Sequence, residues 1–465
     1  MSRAALVAVV AEEDPARAAG RLTTSEADLF ELRLDWLARP EAGLALLRAA
    51  GRPVIATARP TWAGGRFAGT EADRLDLLGR AGAAGAAWID VEAEARDRLP
   101  AGAARVLVSH HDFEGMPADL EERARRIGRA GDLVKLAATP ATLAEAVALS
   151  RLAGPGVVPV AMGPHALAGR VLAARAGAPM IYGAAGAPVA PGQPLVEELR
   201  RFDLGTWTGL YGVLGHPVGH SIGPRVWNGV LAAAGRSAVY LPFEEADAQE
   251  GLQVLERAGA EGLSVTIPHK EAAFAGAGWR SDDATRVGAA NTLIRGERGG
   301  WRAENTDVSG TREVLRSFYP EAAPRPTALV LGTGGAARAA VGALRDLWFE
   351  VLVSGRTPER ARALEGTWVP WEERGARRPD LIVNATPLGE ESPYPIDRLE
   401  SHMSVFDFVY RPRVTRLLAA ARERGCRTWD GLDLWVAQAE GQYRLWFGAA
   451  SPEGLFRRLA EEAAP

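Results

Sequence analysis

The first two hundred residues alternate short apolar stretches with longer, alanine-rich stretches of amphipathic character. Eight apolar stretches have the length and composition of β-strands, and the segments between them are typical of helices. Eight strand–helix units within one domain predict a closed parallel (β/α)8 barrel. The predicted strands are Leu6–Val10, Ala27–Leu34, Pro53–Ala58, Ala87–Val91, Arg105–Ser109, Asp132–Ala137, Val157–Ala161 and Pro179–Gly183.

The pattern changes at Pro191–Trp207, which contains a Pro/Gly cluster, a short charged helix and the sequence GTWTG. We place a domain junction there, because the next stretch starts a new order of strand, HSIGP turn, helix and strand at Leu210. This order predicts a barrel over residues 1–205, followed by a two-lobed α/β domain over residues 210–465. Further strands are expected at Thr327–Leu331, Glu350–Ser354, Leu381–Asn384 and Val405–Phe408.

A glycine-rich loop connects the first of these later strands to a helix. The sequence ALVLGTGGAARAA runs from an apolar strand through Gly332, Gly334 and Gly335 to Ala336. Such a loop permits a tight turn and directs a helix N-terminus at a pyrophosphate, which predicts a dinucleotide-binding Rossmann lobe. The predicted limits are 312–430 for this lobe, and 210–311 with 431–465 for a substrate lobe.

The strand after this loop indicates which dinucleotide is bound. A site that prefers NAD carries an acidic residue about 20 residues past the glycines, where it holds the ribose hydroxyls. Here Arg356 stands at that place, followed by Thr357 and, one helical turn further, by Arg360. A guanidinium suits a 2′-phosphate, so the sequence predicts NADP(H) as the cofactor.

The use of lysine changes the picture. Lysine and arginine together number 54, and only Lys135 and Lys270 are lysines, so 52 are arginines. Arginine serves solubility and ion pairs equally well, but only lysine can lose its proton when buried and act as a nucleophile or base. Both lysines also lie in motifs described below, which favours a chemical role over chance retention at the surface.

Charge and apolar content exclude several classes of function. A net charge of −4 gives no basic surface for nucleic acid, and no apolar run is long enough to cross a bilayer. The apolar start is too short for a secretory signal and the single cysteine, Cys426, cannot form an internal disulfide, so we expect a cytoplasmic protein. His216 and His220 lack a third ligand at zinc-like spacing, and no metal is expected.

Polar residues cluster at the carboxyl ends of the predicted barrel strands, where barrel enzymes carry their catalytic groups. The motifs FELRLDW, RPTWAGGRF, VSHHDFE, DLVKLA and APGQ occur in this order within residues 1–205. Together they resemble the type I 3-dehydroquinate dehydratases. The residues that match positions of that family are Glu31, Arg33, Arg59, His111, Lys135, Arg170 and Gln193.

The resemblance implies a lyase that dehydrates 3-dehydroquinate through a Schiff base. Lys135 would attack the ring ketone as a free amine, and the resulting iminium would acidify the neighbouring carbon. His111 would remove that proton and then protonate the departing hydroxyl. Arg170 would hold the substrate carboxylate, while the other matching residues would hold ring hydroxyls and order the site.

Two positions depart from the family pattern. Ala63 stands where a glutamate usually orients the histidine, and Val189 stands where a serine usually precedes APGQ. Glu92, just past the fourth strand, is a candidate to replace the missing glutamate. A barrel without these polar groups could instead be a silent scaffold that stabilises or regulates the second half, and this alternative stays open.

The motifs GHPVGHSIGP, SVTIPHK, VGAANTL, ENTDVSG, IVNATPLG, FDFVYRP and DGLDLWVAQAEGQ follow one another through residues 210–465 and resemble the shikimate dehydrogenases. The resemblance implies reduction of 3-dehydroshikimate to shikimate with NADPH. Lys270 and Asp307 would form the catalytic pair beside the ketone. Asn384 and Thr386 would lie along the cofactor. The residues implied for holding shikimate are Ser221, Thr266, Asn291 and Gln438.

Gly223 replaces a serine that is usual in the second family, which leaves quinate dehydrogenase activity as a further alternative. The whole chain is expected to be a fused enzyme of the shikimate pathway, in which the first product is the substrate of the second site. Its partners would be the small molecules 3-dehydroquinate, 3-dehydroshikimate and shikimate, with no nucleic acid and no membrane. A homodimer is left open.

Overall fold

The structure, a computed structural model, describes residues 3–100, 102, 104–202, 204–205, 207–316 and 325–464. The predicted domain limits at positions 1 and 465 lie outside the described residues. By its contacts the chain divides into two compact units, Met1–Gly209 with Ser237–Glu245, and Leu210–Arg236 with Ala246–Pro465. Residues 237–245, which the sequence placed in the substrate lobe, thus group with the first unit.

Eight parallel strands form the sheet of the first unit. Neighbours pair in chain order and β1 also pairs with β8, so the ladder has its two ends at β7 and β8. The predicted barrel is confirmed as a nearly closed ring, and each strand overlaps a predicted one. The strands are β1 (Ala5–Val10), β2 (Leu29–Arg33), β3 (Val54–Thr57), β4 (Trp88–Glu92), β5 (Arg105–His111), β6 (Leu133–Ala138), β7 (Val157–Ala161) and β8 (Met180–Ala184).

The helices of the first unit alternate with these strands, except that a 3-10 helix, Ala93–Arg98, follows β4. Asp14, Thr70 and Thr142 start three of the helices by accepting hydrogen bonds from first-turn backbone N–H groups. The helices are α1 (Pro15–Thr24), α2 (Gly43–Ala49), α3 (Glu71–Ala83), α4 (Leu120–Ile127), α5 (Leu143–Arg151), α6 (Ala166–Arg175) and α7 (Val196–Leu199).

Every barrel strand contributes a buried side chain to one apolar cluster. Because strands of a parallel barrel are covered on both faces, they read as apolar runs, which is why the sequence pattern located them. This packing leaves polar side chains for the strand ends. The cluster includes Val7, Leu29, Ile55, Trp88, Leu107, Ala137, Val158 and Met180.

The first lobe of the second unit is built on a mixed sheet, in which β9, β11, β13, β14 and β12 lie side by side in this order. Strand β11 runs parallel to β9 and antiparallel to β13. The strands of this part of the chain, including β10 from the segment that groups with the first unit, are β9 (Gly209–Gly215), β10 (Ala238–Glu244), β11 (Ala260–Val265), β12 (Trp279–Arg280), β13 (Thr292–Arg295) and β14 (Trp301–Glu304). The helices are α8 (Gly223–Ala233), α9 (Ala248–Arg257), α10 (Lys270–Gly276), α11 (Asp282–Val287) and α12 (Thr306–Arg316).

The second lobe is a parallel sheet with the order β17-β16-β15-β18-β19-β20, so the strand order reverses between β15 and β18. In open α/β sheets ligands bind in the crevice at such a reversal. The predicted Rossmann sheet is confirmed. Its strands are β15 (Thr327–Leu331), β16 (Glu350–Ser354), β17 (Thr367–Val369), β18 (Leu381–Asn384), β19 (Ser404–Asp407) and β20 (Arg427–Trp429). The helices are α13 (Gly335–Asp346), α14 (Pro358–Arg362), α15 (Arg416–Glu423), α16 (Gly431–Phe447) and α17 (Leu455–Ala463).

Helix α16 leaves the Rossmann sheet and packs on the first lobe of the second unit. Gln442 donates to the hydroxyl of Thr292 at 2.9 Å, and the indole of Trp446 donates to the carbonyl of Leu293 at 3.1 Å. Helix α16 is therefore joined to the mixed sheet by hydrogen bonds to β13. Across the described residues, no helix has the length and apolar character needed to cross a membrane.

Candidate active sites

An open cavity, with about 550 Å³ of empty space that includes its solvent-filled mouth, is lined by residues from the carboxyl ends of the barrel strands. Since parallel barrel strands all end on one face, residues far apart in the chain meet there. Ala63 and Val189, the two departures from the family pattern, also line this cavity. The structure brings together in it all seven barrel residues selected from the sequence, Glu31, Arg33, Arg59, His111, Lys135, Arg170 and Gln193.

Lys135 lies on β6 and is buried, with 4 % of its surface exposed. Its Nζ forms a close ion pair with Asp90 of β4. The same atom lies 3.8 Å from Oε1 of Glu31 and 4.8 Å from the centroid of the Tyr182 ring. The only lysine of the barrel is therefore enclosed between a carboxylate and an aromatic face at the cavity wall.

The carboxylate of Asp90 is buried, and both of its oxygens accept hydrogen bonds. Besides Lys135, it accepts a hydrogen bond from Ser109 Oγ at 2.7 Å and one from Arg59 Nη2 at 3.0 Å. Burial opposes its ionisation, yet the charges of Arg59 and Lys135 hold the pKa of Asp90 well below its usual range. Asp90 is thus a fixed anion next to the lysine.

His111 at the end of β5 is partly buried, and its ring stacks on Phe113 with centroids 6.1 Å apart. Its Nδ1 lies 3.4 Å from Nη1 of Arg59. Because a guanidinium only donates, Nδ1 is the acceptor in this contact. Burial, together with the charges of Arg59 and Lys135, places the pKa of His111 well below its usual value. At neutral pH the imidazole is therefore uncharged, which is the form that a general base requires.

Glu92 pairs with arginines rather than with the histidine. Its Oε1 accepts from Nη1 of Arg59 at 2.9 Å, and its Oε2 lies 2.5 Å from Nη1 of Arg74, a fully buried residue of α3. Glu92 therefore does not replace the family glutamate as a direct partner of His111, because Arg59 contacts both residues and separates them. Glu92 acts on the site by holding Arg59.

Arg170 on α6 is a buried guanidinium without an acidic partner among the described residues. Its Nε donates to the carbonyl of Ala161 at 3.1 Å, and its Nη1 donates to the carbonyl of Tyr182. Burial lowers the pKa of Arg170 to about 10. An enclosed positive charge with only carbonyl partners is suited to receive a carboxylate from the cavity.

Three further cavity residues are oriented by hydrogen bonds of their own. A hydroxyl orients Glu31, a bidentate carboxylate orients Arg33, and a backbone N–H orients Gln193. The pairs are Thr57 Oγ1 to Glu31 Oε1 (2.8 Å), Arg33 to Asp35 (2.7 and 2.9 Å) and Val189 N to Gln193 Oε1 (2.9 Å).

Asp90 and Tyr182 also lie at this site, although neither was predicted from the sequence. A carboxylate inside the buried strand WIDVE is the signal that identifies Asp90, because a charge in a strand covered on both faces needs a partner. Tyr182 reads as an ordinary core aromatic in MIYGA, and nothing in its sequence context marks it. Its hydroxyl is buried without a hydrogen-bond partner among the described residues.

In the second unit, Lys270 at the start of α10 and Asp307 in the first turn of α12 form an ion pair, with Nζ and Oδ2 2.6 Å apart. Asn291 donates from Nδ2 to the other carboxylate oxygen at 2.9 Å. The side chains of the pair are 22 % and 12 % exposed. The ammonium is therefore held in place while it stays accessible to a small molecule.

Of the residues implied for shikimate binding, Asn291 contacts the pair directly, and the other three lie on several elements. Thr306 links two of them, since its N–H donates to Asn291 Oδ1 at 2.7 Å and its hydroxyl lies 3.4 Å from Gln438 Oε1. Thr266 directly follows β11, and Ser221 lies in the loop between β9 and α8. Because β9 and β11 are parallel neighbours, these two loops start at the same edge of the sheet.

The glycine loop between β15 and α13 has the geometry of a dinucleotide-binding turn. Gly332 has a φ of +119°, and a Cβ added there would lie 2.9 Å from the carbonyl oxygen of Ala385. A Cβ added to Gly334 would meet no heavy atom within 4 Å, so space is open beside it. One added to Gly335 would lie 4.0 Å from Cδ of Lys270, which places the start of α13 next to the ion pair.

The residues selected as cofactor ligands differ in their surroundings. Arg356 and Arg360 are exposed beyond β16, and neither forms an ion pair with a described residue, while Thr357 precedes α14 as its N-cap. Asn384 is fully buried, and its Oδ1 accepts from the N–H and the hydroxyl of Thr386 at 3.0 and 2.7 Å. Asn384 thus shapes the turn that carries Thr386.

Two histidines named in the sequence analysis, and a large aromatic residue of the second unit, take no part in these sites. His216 and His220 are exposed, and within the described ranges no group of three or more His, Cys, Asp or Glu side chains is placed to bind a metal. Trp227 is buried and its ring contacts Tyr443 and Phe456. The histidines lie at the surface, and the tryptophan is part of the packed core.

Comparison with known proteins covers both units. The profile of type I 3-dehydroquinase matches residues 5–202, and that of the shikimate dehydrogenase substrate binding domain matches residues 213–293. A chloroplastic bifunctional 3-dehydroquinate dehydratase/shikimate dehydrogenase from Arabidopsis thaliana is 32% identical over 482 residues. That alignment covers 93% of this chain and 80% of the plant protein.

Solved structures resemble the second half of the chain. Shikimate 5-dehydrogenase from Thermus thermophilus, in complex with NADP(H) and shikimate, is 36% identical with a TM-score of 0.51, and covers 55% of this chain and 100% of its own. Quinate dehydrogenase from Corynebacterium glutamicum, in complex with NAD, is 27% identical with a TM-score of 0.50, and covers 55% and 98%.

Proposed function

The chain belongs to the family of bifunctional 3-dehydroquinate dehydratases/shikimate dehydrogenases, and from this premise we propose that it catalyses both reactions. Residues 1–205 form the dehydratase and residues 210–465 the dehydrogenase. The observation that carries the proposal is the barrel cavity, which gathers the enclosed Lys135, the uncharged His111 and the unpaired Arg170. The first product, 3-dehydroshikimate, is the substrate of the second site.

In the barrel, Arg170 holds the carboxylate of 3-dehydroquinate, because its guanidinium has only carbonyl partners among the described residues. Lys135 Nζ adds to the ring ketone, and loss of water gives an iminium. His111 takes a proton from the carbon next to the iminium and delivers it to the hydroxyl that departs, which leaves as water. Hydrolysis of the iminium then releases 3-dehydroshikimate and restores the lysine.

In the second unit, the turn at Gly332 and the open space beside Gly334 fit NADP(H). So do Arg356 and Arg360 beyond β16, which form no ion pair with a described residue. When bound, NADPH supplies the hydride. Lys270 donates a proton to the ketone oxygen, which becomes a hydroxyl of shikimate, while Asp307 fixes the position of Nζ. The carboxylate and hydroxyls of the substrate are held by Ser221, Thr266, Asn291 and Gln438.

Two alternatives are tested beside this function. A silent barrel is the first, because Ala63 and Val189 remove two polar groups from the cavity. Quinate oxidation is the second, since Gly223 at the start of α8 leaves out a side chain where the family has serine. The likeness to a quinate dehydrogenase structure supports testing quinate, and Gly223→Ser should suppress any such activity while improving shikimate oxidation.

The decisive assay supplies 3-dehydroquinate and NADPH to the full chain and follows NADPH consumption. Lys135→Ala should abolish this activity and leave reduction of 3-dehydroshikimate intact. If the wild type reduces 3-dehydroshikimate but never consumes 3-dehydroquinate, the silent barrel is the correct alternative. Borohydride added with 3-dehydroquinate should fix an adduct on Lys135 and not on Lys270, as read by mass spectrometry.

A further inference from the structure

The mechanism above assigns no task to Asp90, although this residue makes the closest polar contact to Lys135. Asp90 lies in the middle of a buried strand, where an unpaired carboxylate would be strongly unfavourable. Two cations, Lys135 and Arg59, share its Oδ2, and Ser109 donates to its Oδ1. Its position is thus fixed from three sides before any substrate arrives.

Resting on the proposed dehydratase function, we propose that Asp90 is the counter-ion of Lys135 throughout the reaction. It holds the reacting nitrogen at the cavity wall and stabilises the cation on that nitrogen both before and after the Schiff base forms. Asp90 acts through Lys135 and is therefore a positioning residue.

The charge balance of the reaction supports this role. An ammonium and a ketone give an iminium and water, and two protons leave the nitrogen with the ketone oxygen as that water. The nitrogen carries one positive charge at both ends of the step and is neutral only as the attacking amine and the carbinolamine. An anion beside the nitrogen therefore stabilises both the resting ammonium and the iminium. Without that anion, the iminium would be a buried charge with no partner.

Of the groups that face Lys135, Asp90 is the one suited to be its counter-ion. Glu31 is the other carboxylate nearby, but its oxygen lies 3.8 Å from Nζ and accepts a hydrogen bond from Thr57. Arg59 and His111 approach from β3 and β5, and the charge of Arg59 repels a cation on the lysine. Tyr182 offers only its ring face.

A chain of alternating charges behind Asp90 keeps it in place. Arg59 bonds both Asp90 and Glu92, and Glu92 pairs with the fully buried Arg74, which in turn pairs with Glu71 at 2.8 Å. Each ion within this chain has an opposite charge on either side. Asp90 is the last anion of the chain, and Lys135 is the cation that it presents to the cavity.

Asp90→Asn removes the charge and keeps the shape, and the two lysines of the chain make its effect simple to measure. Acetylation at a series of pH values, read by mass spectrometry, gives a midpoint for Lys135, with Lys270 in the same molecule as an internal reference. Loss of an adjacent opposite charge should lower the Lys135 midpoint by about one to three pH units and leave that of Lys270 unchanged. Dehydratase kcat should fall at least tenfold, with a smaller change in KM.

Three comparisons make the result specific. Asp35→Asn removes another buried carboxylate, which pairs with Arg33, and should not move the Lys135 midpoint. Asp90→Glu keeps the charge and should hold the midpoint near that of the wild type. Asp90→Ala also removes the charge and replaces the asparagine variant if that variant does not fold.

An unchanged Lys135 midpoint in the charge-removing variant overturns the role of Asp90, provided that borohydride still traps 3-dehydroquinate on Lys135 of the wild type. Absence of that trapped adduct in the wild type contradicts the dehydratase function itself. The two failures are therefore distinguishable.

Discussion

Ala63 lies in the cavity wall, near the histidine that the reaction needs as a base. In this chain His111 contacts Arg59, and its pKa is held well below the usual value by burial and by nearby positive charges. Ala63→Glu should supply a carboxylate that stabilises the protonated imidazole and so raises the pKa of His111. Since the base works only when unprotonated, the acidic limb of the kcat profile should move to higher pH, with a higher kcat above neutral pH.

The matched control is Ala63→Gln, which adds the same bulk without charge and should leave the acidic limb in place. The measurement is the dehydratase rate across pH 4–9, with 3-dehydroquinate saturating at each point. A shift of equal size in both variants would show that volume at position 63, and not charge, affects the histidine.

Arg356 is exposed beyond β16 without an ionic partner among the described residues. Arg356→Asp removes one positive charge from the proposed 2′-phosphate site and adds a negative one. A charge-assisted hydrogen bond contributes about 1.5–3 kcal/mol, so kcat/KM for NADPH should fall by about tenfold or more, with a smaller change for NADH. Arg378→Asp, an equal change of charge at another exposed arginine, should alter neither value. Equal use of both cofactors by the wild type would contradict the assignment.

The residues identified from the sequence are those whose amino-acid type, at that position, is compatible with few roles. Lys135 and Lys270 stood out because the chain uses arginine elsewhere, and Arg356 because it occupies a position reserved for an acid in NAD sites. Asp90 was missed, and Glu92, a candidate partner for the histidine, pairs with Arg59 instead. Which of two carboxylates on β4 meets a given cation depends on register across β3, β4 and β6, and the sequence does not state that register.

At the scale of elements, two glycines in the loop between β15 and α13 are needed for different reasons, one for backbone conformation and the other for space beside the cofactor. Gly332 combines a φ of +119° with a close approach to the Ala385 carbonyl, whereas Gly334 has an ordinary negative φ and open space. Gly332→Ala should therefore destabilise the second unit by about 1–3 kcal/mol. Gly334→Ala should leave stability unchanged and raise KM for NADPH, because its methyl group would stand where the pyrophosphate approaches. Urea unfolding and NADPH kinetics measure the two effects, and equal loss of stability in both variants would contradict this difference.

The strands of the barrel and of the Rossmann sheet were predictable because both of these sheets are covered on both faces. All eight barrel strands and the four predicted Rossmann strands, which correspond to β15, β16, β18 and β19, were located from apolar runs. Short edge strands such as β12 and β17 were not predicted, since two or three residues carry no period.

At the scale of the whole molecule, two proposed sites in separate units must share one intermediate. A tether raises local concentration only for a ligand that stays attached, and 3-dehydroshikimate is released free once the Schiff base is hydrolysed. One turnover takes on the order of 0.1 s, which is far longer than a small molecule needs to diffuse away. Fusion by itself should therefore give no kinetic advantage to the second step.

This expectation can be tested by mixing Lys135→Ala and Lys270→Ala chains in equal amounts, each at the concentration of the wild-type chain. The mixture contains as many working sites of each kind as the wild type, but never both in one molecule. After addition of 3-dehydroquinate and NADPH, the mixture and the wild type should show the same lag and the same steady rate of NADPH consumption. Each variant alone should consume none. A lag that is shorter only in the wild type would mean that the intermediate passes between the sites of one chain before it reaches the solution.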